Sequence, residues 1–219
     1  MIDIMLLGKY SKAYTAAIEY IEEDSLEPDE DKQLCQGIVV PDYIRTSGGS
    51  SPDMVIVAVD TLAPDELKGF AYLFNVPRGS SNTQATGLSI DIICALPTAK
   101  GVGTLIMNEI KNYAKVMGIK VLVLKSLPGT ITYYASRHGF VNIKDPDDNA
   151  SFALCNNDLD SQREYYTKHT PVPNDKSSMN DYINYLVREN LIDADCINDP
   201  DKKDCAIESG FPMIWCAEK

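Results

Sequence analysis

The chain has 219 residues, of which 44% are hydrophobic, so it is long enough to bury a core of its own. Its formal charge of −12 argues against non-specific binding of nucleic acid, which depends on basic patches. No apolar run approaches the ~20 residues that a membrane-spanning helix needs, and the N-terminus "MIDIMLLGKY" lacks the basic region of a signal peptide. We therefore expect an intracellular, cytoplasmic protein without membrane contact.

The first elements are a strand and a helix. Residues 2–7, "IDIMLL", form a short apolar run that predicts a strand. Residues 11–24 place alanines and isoleucines at helical spacing, and Ser11 is suited to cap the N-terminus of that helix. An acidic stretch follows, and the charge pattern predicts a loop there.

Three predicted strands come next, in series. They are "DMVIVAVD" (53–60), "LKGFAYLFNV" (67–76) and "GLSIDIICAL" (87–96), and turn-forming residues separate them. Consecutive strands joined by turns pair as an antiparallel meander, which is the arrangement that we expect.

A helix, a strand and a short helix follow the meander. The helix is predicted from Gly101 to about residue 117 and ends at Gly118, which is suited to a C-cap. Its predicted apolar stripe consists of Val102, Leu105, Ile106, Ile110 and Tyr113. A buried strand (119–127), a helix (130–138) and a strand starting at "GFVNI" come after it.

The end of the chain carries a predicted insertion. Residues 144–210 are polar and contain one amphipathic helix (178–191), and "FPMIWCA" (211–217) reads as the last strand of the sheet. The fold class is therefore α/β with a mixed sheet. We expect one domain over 1–219, with a core of 1–143 closed by the last strand. In the competing interpretation the core ends at "SFALC" (151–155).

The six cysteines and two histidines are scattered. None of the cysteines forms a C-x-x-C pair and no histidine lies near them in sequence, so we expect no metal site. In a reducing compartment the cysteines are expected to be free thiols, although Cys196 and Cys205 bracket a polar loop that a disulfide would close.

Three stretches together resemble the GNAT superfamily of acyl-CoA-dependent N-acyltransferases. They are "LSIDIICAL" (88–96), "KGVGTLIMNEIKNYAK" (100–115) and "ITYYASRHGF" (131–140), of which the second is similar in wording to histone-type members. The resemblance covers about 53–143. It implies a GNAT-like fold with the insertion before the last strand, acetyl-CoA as acetyl donor and no metal.

The resemblance also implies where CoA binds. The strand residues Ile93, Cys94, Ala95 and Leu96 correspond to the family's pantetheine-binding strand. The loop residues Lys100, Gly101, Val102, Gly103 and Thr104 correspond to its pyrophosphate loop. The free N–H groups of a helix N-terminus suit an anion, and we expect those of residues 101–104 to point at the phosphates. The sequence departs from the family at Thr98, where Gln or Arg is usual.

Tyr134 and Asp91 are the catalytic candidates. Counting from Ile131 places Tyr134 on the family's catalytic tyrosine, which protonates the leaving thiolate, whereas counting back from Gly139 places Ala135 there; Tyr133 is the second choice. Asp91 is the candidate base because it is a carboxylate among apolar neighbours. The alternatives are that Asp91 binds backbone or substrate and that water removes the proton. Ile90, not Asp91, aligns with the family's glutamate.

The resemblance thus implies an N-acetyltransferase in which a primary amine attacks acetyl-CoA directly within a ternary complex. The acidic charge favours a cationic acceptor, either an amine-bearing small molecule or a peptide lysine. The insertion is expected to shape acceptor entry or an oligomer contact, including that of a homodimer. The alternative is a catalytically weak GNAT-fold module that binds acyl-CoA or a protein.

Overall fold

The computed structural model describes most of the predicted core. It covers residues 1–24, 51–76, 85–126, 133–142 and 211–217, with single positions at 81, 130, 181, 184 and 188. The chain divides into two compact units, Met1–Gly118 and Ile119–Lys219.

The first unit is built on a four-stranded antiparallel sheet. Its strands are β1 (Ile2–Gly8), β2 (Met54–Asp60), β3 (Ala63–Val76) and β4 (Gly87–Ala95). Each strand pairs antiparallel with the next one in the chain. The predicted meander is therefore confirmed, and β1 adds a fourth strand to it along β2.

Helix α1 (Lys12–Asp24) packs on one face of this sheet. Its N-terminus is capped as predicted, since the Ser11 hydroxyl accepts a hydrogen bond from the Tyr14 N–H at 3.1 Å. The helix contributes buried side chains to a cluster with side chains from three strands. This cluster consists of Tyr14, Ile21, Val55, Val57, Leu67, Phe70, Tyr72, Ile92 and Cys94.

Helix α2 (Val102–Met117) packs on the opposite face. It contacts the sheet beside Gly69, and the next residue, Phe70, belongs to the cluster that α1 covers. Because adjacent strand residues point to opposite faces, α2 and α1 lie on opposite sides of the sheet. The buried side chains of the helix are Val102, Ile106, Met107, Ile110 and Ala114. The prediction that Leu105 belongs to the buried stripe is wrong, because Leu105 is 44% exposed and Met107 takes that place. Gly118 caps the C-terminus with φ 69°, as predicted.

The second unit contains three strands and a short π-helix. They are β5 (Val121–Ser126), the π-helix (Tyr133–Arg137), β6 (Val141–Asn142) and β7 (Phe211–Cys216). Strand β7 pairs antiparallel with both β5 and β6. The prediction that "FPMIWCA" forms the last strand is thus confirmed, and with it the α/β class.

The cysteines differ from expectation. Cys94 and Cys216, the two that fall in the described ranges, are disulfide-bonded rather than free thiols. The expectation of free thiols failed because the spacing of cysteines in the sequence does not give their Cα–Cα distances, which decide whether a disulfide can form. Cys196 and Cys205 lie outside the described residues.

Two predictions about organisation concern other parts of the chain. The insertion 144–210 lies outside the described residues except at 181, 184 and 188, which are helical and fall within the predicted helix 178–191. The single-domain assignment stays a prediction. Within the described ranges, no helix combines the length and the apolar character that crossing a membrane requires.

Candidate active site

Strand β4 carries an irregularity at Asp91. Tyr72 pairs with Ile92, whereas the next residue of β3, Leu73, pairs with Ile90. Asp91 is therefore an extra residue on β4 between two successive register pairs, which is the definition of a β-bulge. Bulges bend a strand and interrupt its ladder, so this one marks the middle of β4 as a place where local geometry departs from a regular sheet.

The bulge changes which way the side chains of β4 point. Ile92 shares a face with Tyr72, and Ile90 shares a face with Leu73, because directly paired residues lie on the same side of a sheet. Ile90 and Ile92 consequently point to opposite faces although they are two residues apart. The alternation of side chains along a regular strand therefore does not hold across this position. Asp91 itself is half-buried.

After the bulge, the direction of the backbone N–H groups is set by pairing with β3. The Leu96 N–H donates to the Lys68 carbonyl at 3.0 Å. In an antiparallel ladder successive N–H groups point to opposite edges, so those of Ile93 and Ala95 point away from β3. Of the four strand residues predicted to bind the pantetheine arm, Ile93 and Ala95 are thus the two whose N–H groups point away from β3.

A compact turn joins β4 to α2. The Ala99 N–H donates to the Leu96 carbonyl at 3.0 Å, and the Val102 N–H donates to the Ala99 carbonyl at 3.2 Å. The Val102 N–H therefore already has an acceptor within the turn, in contrast to our expectation that four N–H groups would all be directed at an anion. Val102 instead contributes a buried side chain that anchors the first turn of the helix.

Gly101 is the N-cap of α2 and lies in the left-handed region, with φ 88° and ψ −10°. No side chain caps this helix, and a Cβ built at Gly101 would meet no atom within 4 Å. Among the residues that the structure covers, the N–H groups of Gly101 and Gly103 donate to no backbone carbonyl. The helix N-terminus thus combines open space, unsatisfied donors and the positive end of the helix dipole.

The other loop residues differ in exposure. Lys100 is exposed, which leaves its ammonium group accessible, and Thr104 is half-buried in the first turn of α2. Together with Gly101 and Gly103 they give a cation, a hydroxyl and backbone amides within five consecutive residues. This arrangement suits a phosphate.

Gly69, which was not among the predicted site residues, determines how closely α2 approaches the sheet. A Cβ at Gly69 would lie 2.7 Å from the Cys94 carbonyl oxygen and 2.8 Å from Cγ1 of Val102. Both distances are far below van der Waals contact, so only glycine fits here without displacement. No sequence pattern around "LKGFAYLF" signals this, because the clash is with a helix more than 30 residues later.

In the second unit, Tyr134 is buried at the π-helix. Its ring makes edge-on contacts with Tyr133 at 5.1 Å and with Phe140 at 6.0 Å between centroids. Burial, reinforced by Tyr133, raises the pKa of the Tyr134 hydroxyl far above its ordinary value, so the hydroxyl holds its proton at neutral pH. Such a group can donate a proton and does not act as a base.

The π-helix accounts for the ambiguity in the residue count before Gly139. A π turn takes up one residue more than an α turn, and the segment ends with the Phe140 N–H donating to the Tyr134 carbonyl at 3.1 Å. Gly139 ends the turn with φ 65°. The extra residue that separated the forward from the backward count is thus accommodated within the helix.

No family model and no curated protein matches the chain. Solved structures do show likeness to it. The N-acetylglutamate synthase from Neisseria gonorrhoeae, complexed with coenzyme A and N-acetyl-glutamate, is 15% identical with a TM-score of 0.42. The match covers 100% of this chain, which spans only 36% of the length of that protein.

Two further structures are similar over more of their own length. Tetrahymena GCN5 is 15% identical with a TM-score of 0.45, and the match covers 67% of this chain and 84% of that one. A Mycobacterium tuberculosis protein in complex with CoA is 12% identical with a TM-score of 0.48, covering 98% of this chain and 99% of that one. At low sequence identity, the chain is thus similar to solved proteins that include acetyltransferases.

Proposed function

We propose that this protein is an acetyl-CoA-dependent N-acetyltransferase of the GNAT type. The observation that carries the proposal is the bulged strand β4, which leads through a compact turn into a helix at whose start the N–H groups of Gly101 and Gly103 donate to no backbone carbonyl among the described residues. The motifs "LSIDIICAL" and "KGVGTLIMNEIKNYAK", which resemble the family's CoA-binding segments, contribute these same elements.

The donor would bind along β4 and at the start of α2. The pyrophosphate would accept hydrogen bonds from the N–H groups of Gly101, Gly103 and Thr104 and would pair with the Lys100 ammonium group. The pantetheine arm would extend along Ile93, Cys94, Ala95 and Leu96 and add to the strand by backbone hydrogen bonds. Val102 would act through its buried side chain, which holds the helix against Gly69.

In the reaction, the amine nitrogen attacks the thioester carbonyl carbon, a C–N bond forms and the C–S bond breaks. The negative charge that develops on the carbonyl oxygen would be stabilised by an N–H of Ile93 or Ala95, which point away from β3. The amine proton would pass to Asp91 or to water, and Tyr134 would supply the proton for the leaving thiolate, as the resemblance implies. The products are the amide and free CoA.

Titration of acetyl-CoA and of free CoA into the purified protein by calorimetry tests the donor site. We expect a Kd in the micromolar range for the wild type and at least a tenfold weaker Kd for Gly101→Asp, because a carboxylate would repel the pyrophosphate; tenfold corresponds to about 1.4 kcal/mol. The matched control is Gly101→Asn, since both side chains tolerate the left-handed backbone and only Asp is charged.

Three outcomes separate the explanations. Selective weakening by Asp supports the phosphate site. Equal weakening by Asp and Asn would attribute the effect to backbone strain. No binding of either ligand to the wild type at millimolar concentration would overturn the proposal.

The second candidate function is an acyl-CoA-binding module with little catalytic power. It is favoured by the Val102 N–H, which already donates to Ala99, and by Thr98 in the place where the family usually has Gln or Arg. Both features reduce the number of donors for phosphate. Micromolar binding of CoA combined with no release of CoA thiol across a panel of primary amines would favour this function over the enzyme.

A further inference from the structure

The Tyr72 hydroxyl is buried without a hydrogen bond. Tyr72 is 1% exposed, and within the part of the chain that the structure describes its Oη has no hydrogen-bond partner. Leaving a buried hydroxyl without a hydrogen bond is costly, so such a group calls for an explanation. Tyr14 in the same cluster shows the usual arrangement, since its hydroxyl donates to the Pro52 carbonyl at 2.6 Å.

The position of Tyr72 links it to the candidate active site. It lies directly opposite Ile92, the first residue of β4 after the extra residue Asp91. Its side chain is on the α1 face of the sheet, in the cluster that includes Ile92 and Phe70. The Phe70 ring lies 5.0 Å from the Tyr72 ring, between centroids. The hydroxyl therefore belongs to an aromatic environment beside the bulge.

A carboxylate approaches the same place from α1. Glu22 is in the last turn of the helix, one residue after the buried Ile21 and four after Ile18, which packs against the cluster. Residues four apart share a helix face, so Glu22 extends the sheet-facing side of α1, where it is half-buried. Its negative charge and, above all, burial raise the pKa of the Tyr72 hydroxyl, which therefore stays protonated.

These groups match one kind of ligand. A hydroxyl oxygen that can accept a hydrogen bond, a carboxylate, and aromatic rings are the features that bind an ammonium group. Among the described residues, the members of this cluster are otherwise apolar apart from the Tyr14 hydroxyl. The partial exposure of Glu22 provides a side from which a cation can approach, and the charge of −12 favours its arrival.

We propose that Tyr72 and Glu22 form the binding site for the ammonium group of the acceptor amine, on the α1 face of the sheet beside the bulge at Asp91. The inference rests on the proposed function for the identity of the ligand as an acceptor. The site itself is defined by the unpartnered hydroxyl and the adjoining carboxylate. In this site the ammonium donates one hydrogen bond to Tyr72 Oη and another to the Glu22 carboxylate.

The test uses n-butylammonium chloride as the probe and 1-butanol as its neutral counterpart of similar size. Binding to the full-length protein is followed by NMR chemical-shift titration, with and without saturating CoA. We expect binding of the ammonium and not of the alcohol, and at least a tenfold weaker Kd in both Tyr72→Phe and Glu22→Gln. Glu23→Gln is the matched control, since Glu23 is the exposed neighbour of Glu22 and should bind as the wild type does.

Stability measurements separate recognition from packing. Tyr72→Phe removes a hydroxyl that has no partner, so the midpoint of thermal unfolding should not fall, and a weaker Kd in a protein of unchanged stability indicates lost recognition. Equal affinity of the wild type, Tyr72→Phe and Glu22→Gln for the probe would overturn the proposal, as would equal binding of 1-butanol. CoA titration of the same variants is an independent readout, so failure of the donor site and failure of this site are distinguishable.

Discussion

Gly69 of β3 lies directly opposite Ala95 of β4, and its missing side chain leaves the space that Val102 of α2 fills. A Cβ at this position would approach the Val102 side chain to 2.8 Å and the Ile106 side chain to 3.1 Å. The helix can approach the sheet this closely only because Gly69 carries a hydrogen atom in place of a side chain. Because α2 begins at the proposed phosphate loop, this contact also determines where that loop lies relative to β4.

Gly69→Ala should therefore displace the start of α2. We expect the free energy of unfolding to fall by ~1–3 kcal/mol, as is typical of an overpacked core, and the Kd for CoA to rise severalfold. Urea unfolding and calorimetry measure the two effects. Gly8→Ala is the control, because a Cβ at Gly8 meets nothing within 4 Å. Unchanged stability and CoA affinity in Gly69→Ala would show that the close packing is unimportant.

Tyr134→Phe tests the proposed proton donor. If the hydroxyl protonates the leaving thiolate, we expect kcat to fall ~10²–10⁴-fold, which is the usual contribution of general acid catalysis, with little change in the Kd for CoA. Tyr133→Phe is the matched control, since Tyr133 is adjacent in sequence and in ring contact. A variant with wild-type kcat would rule out Tyr134 as the acid. A larger loss in Tyr133→Phe would favour the second choice.

Alkaline pH should destabilise the fold through its buried tyrosines. Burial, with the charge of Asp53, raises the pKa of Tyr14 to about 12, and burial raises the pKa values of Tyr72 and Tyr134 as well. Unfolded tyrosines ionise near pH ~10, so above that pH the unfolded state binds fewer protons than the folded state. The stability that these tyrosines contribute should be fully present below about pH 10 and should decline as the pH rises toward their folded-state pKa values.

Urea unfolding between pH 8 and pH 11 measures this decline, and Tyr134→Phe should show a shallower one. A midpoint that stays constant to pH 11 would contradict the raised pKa values.

Ser11→Ala tests the cap of α1. The variant loses the hydrogen bond from the Tyr14 N–H to the Ser11 hydroxyl, and we expect the free energy of unfolding to fall by about 1 kcal/mol. Ser11→Asp should retain most of the stability, because a carboxylate accepts the same bond and interacts favourably with the helix dipole. Equal stability of the Ala and Asp variants would mean that the cap contributes little.

Features that depend on local sequence were predictable. The cap at Ser11, the glycine after α2 and the turn residues between strands all act on neighbouring backbone, so the bounds of α1 and α2 and the three-strand meander followed from them. The glycines of the proposed phosphate loop belong to this group. The loop that contains these glycines leads directly into a helix, as the spacing of the glycines predicted.

Features that depend on a residue far away in the chain could not be predicted from the sequence. The bulge at Asp91 exists only in the pairing of β4 with β3, and no residue type within "LSIDIICAL" signals it. The crowding around Gly69 and the lack of a hydrogen-bond partner for Tyr72 Oη among the described residues arise from packing between elements far apart in the chain. Leu105 was misassigned because helical periodicity gives the direction of a stripe only to within one residue.

The bulge at Asp91 also divides β4 into two halves that different helices constrain. Leu88 and Ile90 lie on the face that α2 covers, whereas Ile92 and Cys94 lie on the face that α1 covers. In related sequences, a change of volume at Ile90 should be compensated by changes in α2, and a change at Ile92 by changes in α1. A single strand would then show two separate patterns of covariation, which meet at the extra residue of the bulge.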